Sequence, residues 1–141
     1  MRDIWEQQLK WLASEEPFVI ARVVKTWRSS PRKPGASMII GFGGKDSSFP
    51  KIAGSVSGGC IESEVIEESL EVLETGKSCE VTYGVEDNLA LSVGLSCGGE
   101  VSILIEKHWA FSIDESAKKV WVHLKKCINN NEPAILFSPI K

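Results

Sequence analysis

The sequence has no run of 18 apolar residues, the least that a membrane-spanning helix needs. Its first residues, MRDIWEQQLKW, mix charges in a helical pattern instead of building the apolar core of a secretory signal. We therefore expect a cytoplasmic chain with no membrane span. There is no basic surplus either: 16 Lys and Arg against 19 Asp and Glu leave a net charge of −3, so nothing global points to nucleic acid or an anionic membrane. Histidine is scarce, and His108 and His123 belong to no metal-ligand spacing; both read as surface or packing residues. Cys-x-x-C is missing. The four cysteines, Cys60, Cys79, Cys97 and Cys127, read as thiols in a reducing compartment, without the spacing of a structural zinc site. GFGG at 41–44 is a fragment of a dinucleotide fingerprint with no helix after it, which excludes a Rossmann reading of this region.

What remains is a globular pattern, 141 residues with 43% apolar and 25% charged, enough for one domain with an ordinary core. A first helix is expected from Ile4 to Ala13, capped by Asp3. β-branched runs predict strands near 18–27, 36–42, 52–56, 78–83 and 101–107, and a final strand within NNNEPAILFSP. Helices are expected over 60–74, stopped by Gly76, and over 114–129. Strands alternating with helices imply an α/β fold: a single domain with a central mixed β-sheet and flanking helices.

Two cysteines stand in glycine-rich settings of near-mirror form, Cys60 in GSVSGGCIESE and Cys97 in GLSCGGE. Gly58 and Gly59 permit positive φ and close backbone approach, and a thiol at a helix N-terminus has its pKa lowered. The plainer alternative makes Cys60 a small buried hydrophobe in a tight turn. On a helical wheel Ile61, Val65, Ile66, Leu70, Val72 and Leu73 share one half, and Glu64, Glu67, Glu68, Glu71 and Glu74 the other. Glu62 falls among the apolar residues. It is either an inward carboxylate beside the helix-end amides or a first-turn acid splayed to solvent. Lys25, Arg28, Arg32 and Lys33 lie within nine residues, stiffened by Pro31 and Pro34. They read as a solvated basic turn or as preorganised donors for an oxyanion. Asp87 precedes the second cysteine loop and could act as an acceptor or proton carrier; Cys79 and Cys127 look structural.

The motifs TWRSSPRKPGASM, GSVSGGCIE, YGVED and GLSCGG, in this order, resemble the XdhC or CoxI family of accessory proteins for molybdenum hydroxylases, over a motif core of about 18–107. Arg28 stands where that family usually has glycine, and many members carry a second, Rossmann-like domain; here one domain over 1–141 is expected, with no such C-terminal domain. The resemblance implies a factor that binds the molybdenum cofactor (molybdopterin) as cargo, supports its sulfuration by a cysteine desulfurase, and inserts it into an apo-molybdenum hydroxylase of the xanthine dehydrogenase or CO dehydrogenase type. It implies a homodimer and a maturation factor more than a turnover enzyme. The cofactor-binding set expected is Cys60, Cys97, Glu62, Arg32, Ser57, Gly58, Gly59, Gly98 and Gly99, with Cys60 and Cys97 as molybdenum or sulfur-handling thiolates, all meeting in one pocket. Two other classes compete: a thiol-dependent sulfurtransferase or redox enzyme using Cys60 as nucleophile, and a regulatory or structural module that only binds a partner.

Overall fold

The computed structural model describes residues 1–27, 32–42, 50–59, 61–84 and 99–137. The elements are α1 (Trp5–Ala13), β1 (Val19–Trp27), β2 (Ser37–Gly41), β3 (Lys51–Gly54), α2 (Glu62–Thr75), β4 (Cys79–Tyr83), β5 (Glu100–Lys107) and α3 (Glu115–Asn129), with short 3-10 turns at Arg2–Ile4 and Trp109–Phe111. The strands form one sheet in the order β3-β2-β1-β5-β4. The α/β class and the five internal strands follow the expectation. The sheet is not mixed, however: every described pairing is antiparallel. Three of the four pairs join neighbours in the chain or in a meander, and only α2 makes a long crossover, from the β3 edge to the β4 edge.

The first part of β1, Val19 to Val24, is apolar except for Arg22. It lies between β2 and β5 and is covered on both faces. Val19, Ala21 and Val23 enter the core under α2 with Met38, Ile40, Val65, Val72, Val101, Ile103 and Ile105. Phe18 and Ile20 alternate to the opposite face and pack with Ile4, Ile39, Trp109 and Trp121 under α1 and α3. The register with β5 shifts between Val23 and Lys25, an irregularity that re-aims the end of the strand. Beyond it Trp27 is 59% exposed.

Local signals set the helix ends. Gly76, with φ 73°, closes α2 and donates its N–H to the Val72 carbonyl. Asp114 accepts from the Ser116 N–H at the start of α3. Asp3 does not cap the first helix. It lies inside the Arg2–Ile4 turn, and two cations claim its carboxylate: the Met1 amine at 3.0 Å and Arg32 at 2.9 Å. Nor is there a final strand over 132–137. Asn131 takes a left-handed φ of 55°, and the following residues run beside Val120, His123 and Leu124 of α3. Leu70, placed on the apolar arc of α2, is 43% exposed, and the buried interior position is taken by Ser69, whose hydroxyl donates to the Val65 carbonyl.

His108 is fully buried, a packing residue as one of the two sequence readings had it. Its Nδ1 accepts from the Ala110 N–H, so Nε2 carries the proton and donates to Gln8 Oε1 at 2.9 Å. Phe18 and Trp121 flank the ring at 4.8 and 4.6 Å between centroids. On the same face Arg22 and Glu106 form a half-buried pair at 2.7 Å. Arg22 also lies over the Trp109 ring, and the indole N–H donates to the same Glu106 oxygen.

Candidate functional site

The antiparallel order brings one end of the sheet to prominence. β1 ends there at Trp27 opposite Glu100, which opens β5; β2 begins there at Ser37; β3 ends there at Gly54 opposite Met38; β4 ends there at Tyr83 opposite Val101. The β1–β2, β3–α2 and β4–β5 connections therefore all start and finish at this end, across four strand spacings, or about 19 Å. They are the connections that carry the basic proline motif, GSVSGGCIE and GLSCGG. Cys60, Cys97, Gly98 and Asp87 lie outside the described residues.

The β3–α2 turn is the best-defined part. Gly54, with φ 82°, lets the chain turn where a Cβ would stand 2.3 Å from the Ser37 carbonyl oxygen and 2.5 Å from Ile4 Cγ2. Val56 and Ser57 are buried beneath it. Glu62 reaches back into the turn. One of its oxygens accepts from the Ser55 hydroxyl at 2.7 Å and the Ser57 N–H at 3.1 Å, and the other accepts a short hydrogen bond from the Ser57 hydroxyl. The Ser57 oxygen in turn accepts from the Ile61 N–H, and the Ser55 oxygen from the Gly58 N–H. Burial pushes the Glu62 carboxyl up, but the hydrogen bonds from Ser57 and Ser55 outweigh it and hold the group below its ordinary value. Glu62 is thus a paired carboxylate turned into its own turn and not an acid splayed to solvent. That network fixes Gly58 and Gly59, both exposed and with φ of 73° and 114°, at the start of α2. Ile61 has no capping side chain at the start of the helix, and its own N–H is taken by the Ser57 hydroxyl oxygen.

Arg32 is at the same end, in the β1–β2 connection, and its guanidinium pairs with Asp3 at 2.9 Å. The Met1 amine joins that cluster by donating to the Gly35 carbonyl at 3.2 Å. Gly99 immediately precedes β5. Cys79 is half-buried on β4; burial and then Glu68 and Glu71 push its thiol up, the reverse of an activated thiolate. Cys127 is buried, with its sulfur 3.6 Å from His123 Nε2. The larger clefts among the described residues lie elsewhere. One of about 350 Å3 runs between Gly76, Ser78, Lys107 and Phe111, and one of about 380 Å3 between α3 and residues 134–137. No three His, Cys, Asp or Glu side chains cluster as a metal site among the described residues.

Sequence reasoning missed Tyr83. It is 92% buried, and its hydroxyl has no hydrogen-bond partner among the described residues. Its position as the only tyrosine, closing a strand at the head of the YGVED motif, was the available signal.

The sequence profile of the XdhC and CoxI family matches residues 11–84, more than half of the chain. The chain belongs to the XdhC and CoxI family. It is 36% identical over 92 residues to the uncharacterized protein YqeB of Escherichia coli, covering 65% of this chain and 16% of that one. It is 29% identical over 106 residues to the molybdenum cofactor insertion chaperone PaoD of Escherichia coli, covering 75% of this chain and 31% of that one. A crystal structure described as a xanthine dehydrogenase from Bacillus halodurans superposes with a TM-score of 0.61 at 28% identity, over 88% of this chain and 34% of that one. The chain thus spans between 16% and 34% of the length of these relatives. None of the described helices is long and apolar enough to cross a membrane.

Proposed function

We propose that this chain is a molybdenum cofactor accessory module that binds the cofactor as cargo, supports its sulfuration by a cysteine desulfurase, and hands it to an apo-molybdenum hydroxylase. One observation carries the reading: the antiparallel sheet delivers the three motif-bearing connections to a single end, where a rigid glycine turn opens α2. The likeness to an insertion chaperone supports the choice of cargo.

In this reading the anionic part of the cofactor meets the first-turn amides of α2 and the exposed Gly58–Gly59 backbone, with Gly99 across the same end. Cys60, just after the turn, and Cys97, just before Gly99, supply soft thiolates to the metal–sulfur centre. Glu62 and Ser57 are positioning residues, since their polar atoms are spent on the turn. Arg32 adds positive potential from its ion pair with Asp3. A homodimer in a cytoplasmic setting completes the proposal.

The test is anaerobic titration with molybdenum cofactor, read by native mass spectrometry for stoichiometry, with Cys60→Ser, Cys97→Ser and Cys79→Ser compared at matched thermal stability. Loss of binding or of apo-hydroxylase activation in the first two, with Cys79→Ser unaffected, is the expected result. Uptake by both variants equal to wild type overturns the thiol role, and a wild type that takes up no cofactor overturns the function.

A further inference from the structure

The phenol of Tyr83 is an anomaly that the fold alone does not explain. Burying a hydroxyl without a partner is unfavourable, and buried polar groups in folded proteins are nearly always paired. Phenylalanine would fill the same place in the core beside Val65, Val72, Val101 and Ile103 at no such cost. The hydroxyl belongs to the last residue of β4, at the sheet end where the three connections meet. Its electrostatic neighbours are Glu68, Glu64 and Glu67 of α2, with Cys79 on its own strand. Glu64 and Glu68 are one helical turn apart and both half-buried.

These surroundings define the kind of group that would satisfy the hydroxyl. Burial first, and then the glutamates, push the phenol well above its ordinary value, so it stays protonated and acts as a donor. The partner must be an acceptor. It is not an anion, because the carboxylates of Glu64, Glu67 and Glu68 set a negative potential there. A neutral ring that presents an oxo acceptor beside N–H donors meets both demands: the oxo group takes the phenol proton in a hydrogen bond, and the N–H groups face the carboxylates. The 2-amino-4-oxo edge of a pterin has this pattern.

We propose that Tyr83, with Glu64 and Glu68, recognises the 2-amino-4-oxo edge of the pterin ring of the cargo. The inference rests on the molybdenum cofactor reading above and divides the labour of the site. The glycine turn and α2 amides hold the anionic part of the cofactor, and the β4 side reads its heterocycle.

The experiment titrates the full chain with free pterin and with lumazine, which carries an oxo group in place of the 2-amino group, and separately with molybdenum cofactor under anaerobic conditions. Wild type is expected to bind pterin at least tenfold more tightly than lumazine, since the latter sets an oxygen against the carboxylates. Tyr83→Phe is expected to weaken pterin about fivefold to tenfold while its thermal midpoint stays equal to or above that of wild type. Glu68→Gln should narrow the pterin–lumazine ratio. Equal pterin affinity in Tyr83→Phe, no discrimination against lumazine, or a fall in the thermal midpoint of Tyr83→Phe each overturns the proposal; the last would show that the hydroxyl has a partner within the protein. Wild type that takes up the whole cofactor without pterin discrimination leaves the proposed function standing and removes only this inference. Wild type that binds neither removes both.

Discussion

Acidification should destabilise this protein well above the carboxylate range, and His108 is the reason. Burial lowers its pKa from 6.5 to about 3. Its neighbours offer no compensating charge: the ring contacts Phe18, Trp109, Phe111 and Trp121, and its nitrogens are engaged by the Gln8 amide and the Ala110 N–H. The imidazolium has a further difficulty. Nδ1 already accepts the Ala110 N–H, so a proton placed there converts an acceptor into a donor facing a donor.

The sign follows from linkage. The folded-state pKa is depressed, so the unfolded chain binds the extra proton first. Stability is intact above about pH 6.5 and is lost progressively as pH falls toward 3. The slope in that window approaches 1.36 kcal/mol per pH unit for one proton, so pH 5 should cost about 2 kcal/mol relative to neutral pH. For a domain of this size that lowers the melting midpoint by roughly 6 °C. The window from 6.5 to 5 lies above that of Glu62, whose carboxyl is held below 4.5 and contributes only at lower pH. The assay is urea unfolding at pH 7.5, 6.5, 5.75 and 5.0 on wild type, His108→Gln and His123→Gln. His108→Gln should be less stable at neutral pH yet nearly flat across the window, and His123→Gln should keep the wild-type slope. A wild-type slope that survives in His108→Gln would refute the reasoning.

Glu62→Gln should destabilise by about 1–3 kcal/mol, because an amide NH2 then faces the Ser57 N–H or the serine hydroxyls that the carboxylate satisfies; denaturant melts at pH 7 check it, and the loss should vanish below the Glu62 pKa. Gly54→Ala should cost about 1–3 kcal/mol from the positive φ, and more from the 2.3 Å approach to the Ser37 carbonyl oxygen, read as a lower denaturation midpoint. Cys79 should react with a thiol reagent more slowly than a free thiol at pH 8, and Glu68→Gln should speed it by removing the nearest negative charge. Arg22→Met should cost several kcal/mol, whereas Arg22→Met with Glu106→Gln should recover part of it, since the single change leaves a half-buried carboxylate with only the Trp109 indole N–H of its described partners.

Much of the fold was legible because each strand has a single plausible period. The first half of β1 is apolar apart from Arg22 because both faces are covered, and Gly76 and Asp114 punctuate their helices by local chemistry. What the sequence concealed depended on partners distant in the chain. Strand direction could not be read from strand composition, so a mixed sheet was expected where the pairings are antiparallel. The exposed place of Trp27 depends on a register shift against β5. Residues 132–137 have strand-like composition but lie along α3 after the left-handed turn at Asn131. Asp3 has the chemistry of an N-cap ahead of a helical run; Met1 and Arg32 compete for it only once the fold brings residue 32 back.

Glu62 shows how far a helical wheel reaches. The wheel singles it out, since no other acid of α2 falls on the apolar side, and it frames the choice as inward charge or solvated acid. The acid turns inward, but its decisive partners are Ser55 and Ser57, which precede the helix and do not appear on its wheel. With both oxygens engaged there, the carboxylate cannot hold a ligand as well without releasing the turn that presents Gly58 and Gly59. Under the proposed function, the groups that meet the cargo are therefore others than the acid that braces the turn. The same division accounts for its lowered pKa. A group meant to exchange protons with a ligand would be poised near neutrality, whereas one meant to hold a backbone in shape is best kept ionised throughout the working range.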